Sequence, residues 1–240
     1  MKNTYLTLIL FIGLSSITGL SSCRMSCVHG SGNKTTETRK VSGFTKIKVE
    51  GGYVVNLKQD SSGTMTINAD DNLMQYIRSN TDGDVLHISS KKNFCTSGPV
   101  TITIGINKLD ELKGSGAVEF VSDGKINTKD LNIDLTGASR ITLDLNAANV
   151  ITTGSGSTEI NLKGQASSHK VNLTGSGKLS ALDFVVGDYN IETTGASDCQ
   201  INVLNNLIVK STGASDVKYR GNPANIKNDK TGASSITKVD

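Results

Sequence analysis

Tryptophan is absent from this 240-residue chain, and aromatic side chains of any kind are scarce, with five Phe and five Tyr. Sugar-binding faces commonly stack rings on exposed aromatics, so this scarcity weighs against a strong carbohydrate binder. Neither sign of charge dominates: 25 Lys+Arg against 22 Asp+Glu leave a formal net charge of +3. That balance points to no nucleic-acid or polyanion partner. Histidine is limited to His29, His87 and His169, far apart and each expected as an isolated surface residue. Cys23, Cys27, Cys95 and Cys199 form no CxxC pair and no His–Cys cluster along the sequence, so no structural metal is expected. A P-loop, an HExxH helix, a nucleophile–base motif and the GGxGxDx repeat of calcium-binding β-rolls are all missing. No catalytic residue and no cofactor follow from the sequence.

What is present begins with a secretory pattern. Lys2 supplies a positive charge, and Tyr5 to Leu20 is largely apolar but interrupted by Gly and Ser. That run falls short of the ~20 residues that span a bilayer. Small residues then precede a cysteine in Leu20-Ser21-Ser22-Cys23, which resembles a bacterial lipobox. Residues 1–22 are expected to be the cleaved signal. Cys23 is expected to carry the lipid, palmitate among its acyl chains, and so to tie the protein to the outer membrane. The alternative is an ordinary signal peptide in which Cys23 is incidental. Arg24-Met25-Ser26 lacks the acidic residues that follow the lipidated cysteine in some surface-exported lipoproteins, and the periplasmic or surface side stays open.

Residues 23–40 are polar and aperiodic and are expected to form a flexible lipid-anchored tether. Alternation of apolar and polar residues then begins, at Phe44 to Val49, Val55 to Lys58, Met65 to Ile67, Val85 to Ile88 and Val100 to Ile104. These read as short strands between Gly, Asp, Asn and Ser turns. Leu73 to Ile77 reads as one helical turn.

The second half repeats. A Gly followed by Ser or Ala recurs at Gly114, Gly137, Gly154, Gly175, Gly195, Gly213 and Gly232, with steps of 23, 17, 21, 20, 18 and 19 residues. Six of the seven follow a threonine: Thr136, Thr153, Thr174, Thr194, Thr212 and Thr231. A period near 20 residues is the size of one solenoid coil. Counting outward from each Gly in steps of two, apolar residues keep the same parity, so Ile133, Leu135, Ile141 and Leu143 should face inward together. The parity decays around Gly232, where Asn228 and Lys230 take inward positions, as suits a terminal capping coil. The fold class is therefore all-β, a single-stranded β-helix or β-solenoid with ~20-residue coils. Residues 41–110 would supply irregular N-terminal strands and 111–240 the regular repeats. Cys199 falls in register with Ile141, Leu179 and Val217 and is expected as a buried free thiol. Its rival arrangement is a disulfide with Cys95.

The run KVSGFTKIKVEGGYVVNLKQ, then NADDNLMQYIRSN and DVLHIS, followed by the Gly-Ser-Gly and Thr-Gly-Ala-Ser repeats, resembles the head GIN domain over residues 41–240. That family is labelled as auto-transporter adhesins and is common among Bacteroidetes lipoproteins. The resemblance implies a β-helix-like fold and an adhesin-like envelope protein, and it defines no functional residues.

Three functions are weighed on the outward positions. Stacked coils would align Thr136, Thr153, Thr174, Thr194 and Thr212 in one ladder and Ala138, Ser155, Ser176, Ala196 and Ala214 in a second. Together they would make a flat face for a glycan, a protein ligand or another copy of the chain. The second reading is a polysaccharide-active enzyme using the outward groups Glu119, Asp134, Asp144, Glu159, Lys178, Asp198 and Asp216, which look scattered over different coil positions. The third is a lipid or glycolipid carrier, against which an interior filled by Ile, Leu and Val argues for a packed core. The lipobox generates the first test. Cys23→Ala should move the protein from the membrane to the soluble fraction, and unchanged membrane fractionation would defeat the assignment.

Overall fold

The computed structural model describes residues 26–41 and 43–240. The expected signal and the expected lipid site Cys23 lie outside the described residues. The chain is almost wholly β. Its first elements are β1 (Cys27–His29), β2 (Lys34–Lys40), β3 (Lys46–Gly51), β4 (Val54–Gln59) and β5 (Thr64–Asp70). The short helix α1 (Asp71–Met74) follows, overlapping the expected helical turn, then β6 (Ile77–Asp82), β7 (Val85–Ser90), β8 (Asn93–Cys95) and β9 (Thr101–Ile106). The repeats supply β10 (Glu111–Gly116), β11 (Glu119–Asn127), β12 (Asp130–Gly137), β13 (Arg140–Gly195), β14 (Asp198–Gly213), β15 (Asp216–Arg220), β16 (Asn225–Gly232) and β17 (Ser235–Lys238).

Each pass of the chain in the repeat region has two arms that meet at a glycine. The first arms pair in parallel in the order β7, β3, β10, β12 and the Asn149–Gly156 stretch of β13. The second arms pair as β9, β4, β11 and the start of β13. β13 is long because its pairing continues unbroken through several passes. Straight, its 56 residues would reach on the order of 180 Å.

The joint between the arms explains the motif. The carbonyl of Gly116 accepts the N–H of Ala138 at 2.8 Å, that of Gly175 accepts Ala196 at 2.9 Å, and that of Gly195 accepts Ala214 at 2.8 Å. To reach that N–H, each carbonyl passes directly beneath the next glycine. A Cβ on Gly137 would stand 2.6 Å from the Gly116 oxygen, and one on Gly195 would stand 2.5 Å from that of Gly175. Their φ values of +87° and +115° lie where side chains are rarely tolerated.

This column corrects the expected alignment. Gly116 pairs with Gly137 and Gly137 with Gly156, while Gly114 and Gly154 flank Leu135. In Gly114-Ser115-Gly116 and Gly154-Ser155-Gly156 the second glycine takes the corner, whereas in Gly175-Ser176-Gly177 the first does, so the successive corners fall 18 to 21 residues apart. Gly137 is also exposed and does not continue the inward set: Thr136, Gly137 and Ala138 all face out between buried Leu135 and Ser139. Three outward positions in a row turn the chain around a convex edge. Inside that edge the interior narrows, and a Cβ on Gly154 would meet Thr158 and Leu173 at 2.6 and 2.8 Å.

The N-terminal part is more regular than its alternation suggests. β3 and β4 belong to the same two stacks, with Ile47 beside Leu112 and Gly51 beside Gly116. The irregularity is one of order, because the pass made by β3 and β4 lies between that of β7 and β9 and that of β10 and β11. Antiparallel strands finish this end, β6 on β7 and β2 on β5. Arg39 of β2 donates to the Ile77 carbonyl at 3.1 Å and to Ser79 Oγ at 2.9 Å, joining the two finishing strands.

The expected tether over 23–40 is thus corrected over its described part: β1 and β2 are paired strands. β2 is an edge strand whose residues Lys34 to Thr38 are all exposed, so no apolar alternation marked it. β1 pairs with β8, and Cys27 forms a disulfide with Cys95 across a Cα–Cα distance of 5.6 Å. Cys199 is free and fully buried, as its register implied. Its column runs Phe120, Ile141, Ile160, Leu179, Cys199, Val217.

One continuous apolar core runs from Val41 to Val217. Side-chain amides reinforce the stack at its other corners. Asn149 donates to Asp130 at 2.7 Å, Ser168 to Asn149 at 2.8 Å, Asn146 to Asn127 at 3.1 Å and Gln165 to Asn146 at 3.1 Å. At the far end every residue of β16 is exposed, Asn228 and Lys230 included, in keeping with the expected capping pass. The glycine column sets the test of this architecture. Gly195→Ala should cost about 2–4 kcal/mol, from positive φ and backbone overlap together. Gly98→Ala, whose Cβ meets nothing within 4 Å, should stay within about 0.5 kcal/mol of wild type in denaturant unfolding. Equal losses at the two positions would contradict the corner geometry.

Candidate functional site

Two ladders of small side chains flank the glycine column. On one side stand Ser115, Thr136, Ser155, Thr174, Thr194, Thr212 and Thr231. On the other, one residue past each glycine, stand Ala117, Ala138, Ser157, Ser176, Ala196, Ala214 and Ala233. All ten residues expected on the contact face are exposed: Thr136, Ala138, Thr153, Ser155, Thr174, Ser176, Thr194, Ala196, Thr212 and Ala214. Two are misplaced by the register correction. Thr153 pairs with Asp134, off the ladder, and Ser155 takes the threonine column, leaving Ser157 among the alanines. The ladders also lie on either side of a convex edge and do not form one flat face.

Beside the second ladder runs a shallow trough. One stretch, about 480 Å³, lies over Ala117, Ala138, Ser157 and Ser176; the next, about 410 Å³, lies over Ser176, Ala196 and Ala214. Its outer wall is a single column of charge, Glu119, Arg140, Glu159, Lys178, Asp198, Asp216. Five of the seven outward groups that looked scattered in the sequence therefore share one line, while Asp134 and Asp144 stand elsewhere. Signs alternate along the first four members. Arg140 binds Glu159 through two nitrogens at 2.8 and 2.9 Å, and Lys218 pairs with Asp216 at 3.0 Å. The Arg140 guanidinium holds the Glu159 carboxyl below its usual range, and hydrogen bonds from Ser235 and Lys218 do the same for Asp216. Glycosidic chemistry needs one carboxyl kept protonated, which is the opposite shift. At the bottom of the trough Ser197 is buried and its Oγ has no hydrogen-bond partner, nor has one oxygen of Asp198.

A larger groove of about 860 Å³ crosses the later passes, lined by Lys170, Asp188, Tyr189, Ile208, Ile226 and their neighbours. His169, expected at the surface, lies beneath it and is 1% exposed. Its Nε2 is 2.9 Å from Thr152 Oγ1, and its ring packs 5.1 Å from Tyr189 and 5.7 Å from Phe184. Burial holds its pKa down to about 3, so the ring is neutral. The sequence hid this because a histidine between Ser168 and Lys170 reads as polar; its inward parity, two residues before Val171, was the available signal. Burial likewise pushes the Cys199 thiol up to about 12, which makes it unreactive. The fold also gathers Cys27, His29 and Cys95, a cluster invisible in the linear spacing. Both sulfurs are joined to each other and offer no thiolate.

The chain matches the family model described as putative auto-transporter adhesin, head GIN domain, over residues 43–223. It belongs to the head GIN domain family. Solved structures of similar shape include a putative adhesin from Bacteroides fragilis, with TM-score 0.83, 20% identity, and coverage of 88% of this chain and 100% of that one. Another is a putative adhesin from Parabacteroides merdae, with TM-score 0.71, 23% identity, and coverage of 90% and 100%. A third, named a putative lipid binding protein, is from Parabacteroides distasonis, with TM-score 0.73, 19% identity, and coverage of 90% and 100%. At these identities the likeness is one of fold. No curated protein matches the chain. Among the described residues no helix of this head GIN chain is long and apolar enough to cross a membrane.

The buried histidine makes the stability of this head GIN fold depend on pH. The unfolded chain takes up a proton on His169 near pH 6.5, while the folded chain resists until about pH 3. This contribution is therefore complete above pH 6.5 and is lost as pH falls toward 3, by at most about 1.4 kcal/mol per unit. His169→Gln keeps a partner for Thr152 without titrating, so denaturant unfolding between pH 7 and pH 4 should show a shallower loss than wild type. An unchanged slope would place the titration elsewhere.

Proposed function

We propose that this chain is a non-enzymatic, lipid-anchored module of the bacterial cell envelope that docks a protein surface along its trough. The passes form one single-stranded β-solenoid of ~20-residue coils, so every coil adds the same unit to the docking line. The observation that carries this reading is the trough itself: a bed of Ala and Ser beside a column of charges alternating from Glu119 to Lys178. Small side chains let another backbone approach closely, and the alternating column fixes register. No aromatic residue lines the trough, which favours a protein over a glycan. The adhesin description of the family supports the same choice.

Anchoring at Cys23 to the outer membrane rests on the lipobox. Catalysis is disfavoured by the direction in which Glu159 and Asp216 are shifted. A lipid-binding reading has one observation in its favour, the groove that exposes Ile226 and part of Ile208, and a neighbour in shape is named a putative lipid binding protein. The continuous apolar core favours that outer surface over the interior for such a ligand.

Lysine at Ala138, Ala196 and Ala214 together should leave folding intact, because all three are exposed. Self-association by analytical ultracentrifugation, or capture of envelope and host-matrix proteins, should weaken on the order of tenfold or more. A folded triple variant that keeps its oligomeric state and its ligands would reduce the ladder to a structural device. Binding to phospholipid vesicles that survives in this variant but is lost in Ile226→Asp would favour the groove.

A further inference from the structure

We infer that the disulfide between Cys27 and Cys95 seats the β2–β6 end of the stack against the lipid bilayer, with the passes leading away from it. The inference rests on the anchor reading of Cys23. Three residues separate Cys23 from Cys27, four Cα–Cα steps with a covalent reach of at most about 14 Å. From Cys27 onward the chain is part of the rigid body. The disulfide is the first fastening, and the Gly30 N–H donates to the Cys95 carbonyl at 3.1 Å as the second. Asn72 of α1 donates to the His29 carbonyl at 2.8 Å and accepts from the Ser31 N–H at 3.0 Å. Lys34 reaches Asp70 at 3.1 Å and the Pro99 carbonyl at 3.3 Å.

Each of these fastenings lies at one end of the molecule. α1 joins β5 to β6, and β8 lies between β7 and β9, the rungs next to the finishing strands. β16 and β17 close the opposite end. At ~4.8 Å per rung the two ends stand on the order of 40 Å apart. A tether much shorter than that length, attached at one end, keeps that end at the headgroups. The surface that meets the membrane is therefore the β2, α1 and β6 layer, and its partner is the bilayer that holds the anchor. The trough, which runs across successive passes, then leads from the membrane outward.

The chain allows a clean test. Cys27 and Cys95 are joined and Cys199 is buried and unreactive, so a cysteine introduced at the surface can be labelled alone. Arg78→Cys in β6 and Asp229→Cys in β16 are exposed positions at the two ends. The full lipidated protein, carrying a fluorophore at one or the other, is placed in phosphatidylethanolamine–phosphatidylglycerol vesicles containing a headgroup-attached quencher. Strong quenching at residue 78 and none at residue 229 is expected. Equal quenching at both, or the reverse order, overturns the orientation. Inserting about twelve Gly and Ser residues between Met25 and Ser26 lengthens the tether without touching the fold and should erase the contrast. A contrast that persists shows that the short span does not set it, and the inference fails. Mass analysis of Cys23 separates the two layers of the argument. An acylated Cys23 with the wrong quenching pattern rejects only the orientation, whereas an unacylated Cys23 rejects the anchor and this inference with it.

Discussion

A carbonyl that must pass under the next glycine to reach an alanine N–H governs much of this molecule. The hydrogen bond between the Gly116 oxygen and Ala138 cannot form over a side chain, so the corner residue is glycine in pass after pass, from Gly51 through Gly116 to Gly232. Once that line is fixed, the arms on either side inherit their register. Threonine and alanine then fall into ladders because they are the neighbours of a fixed point. The surface chemistry proposed for docking is in this sense a by-product of backbone packing, adapted by the charges one step further along.

The interior shows the same dependence. Two residues past the corner, Ser139, Thr158, Ser197 and Ser215 are buried in the column that Tyr53 and Val118 fill in earlier passes, so small polar side chains line the inner side of the edge in the later passes. These polar groups lie in the core, and Ser139 recovers a bond to the Thr136 carbonyl at 3.0 Å. Ser197 and Ser215 do not recover one. Further from the edge the cavity widens and takes Phe120, Phe184 and Tyr189. Among the described residues the few aromatics are concentrated in or against the core and leave the trough without rings.

Periodicity made the all-β fold and the family legible, because a period near 20 residues survives in the glycines even where strand composition drifts. The charged wall was not legible. Glu119, Arg140, Glu159 and Lys178 align only when Gly116, Gly137, Gly156 and Gly175 are chosen as the corners, and a shift of two residues conserves apolar parity either way. Parity alone therefore could not decide between Gly114 and Gly116. β2 escaped notice for a different reason: an edge strand with no apolar face carries its information in its partner, β5. The Cys27–Cys95 bond was hidden with it, since pairing of β1 with β8 is what brings the two residues together.

The two ends of the stack are unequal in how they would bear a mechanical load. The β2–β6 end is closed by antiparallel strands, by the reach of Arg39 across them and by a covalent bond. The β16–β17 end has one neighbour to hold it and no buried side chain of its own. Under tension applied between the two ends, strands would peel from the exposed end, one pass at a time, while the disulfide-closed end held. Each pass that peeled would release roughly 19 residues of chain, on the order of 60 Å of slack, before the next was loaded. A stack built this way would yield progressively from its open end and give up length while its covalently closed end stayed folded.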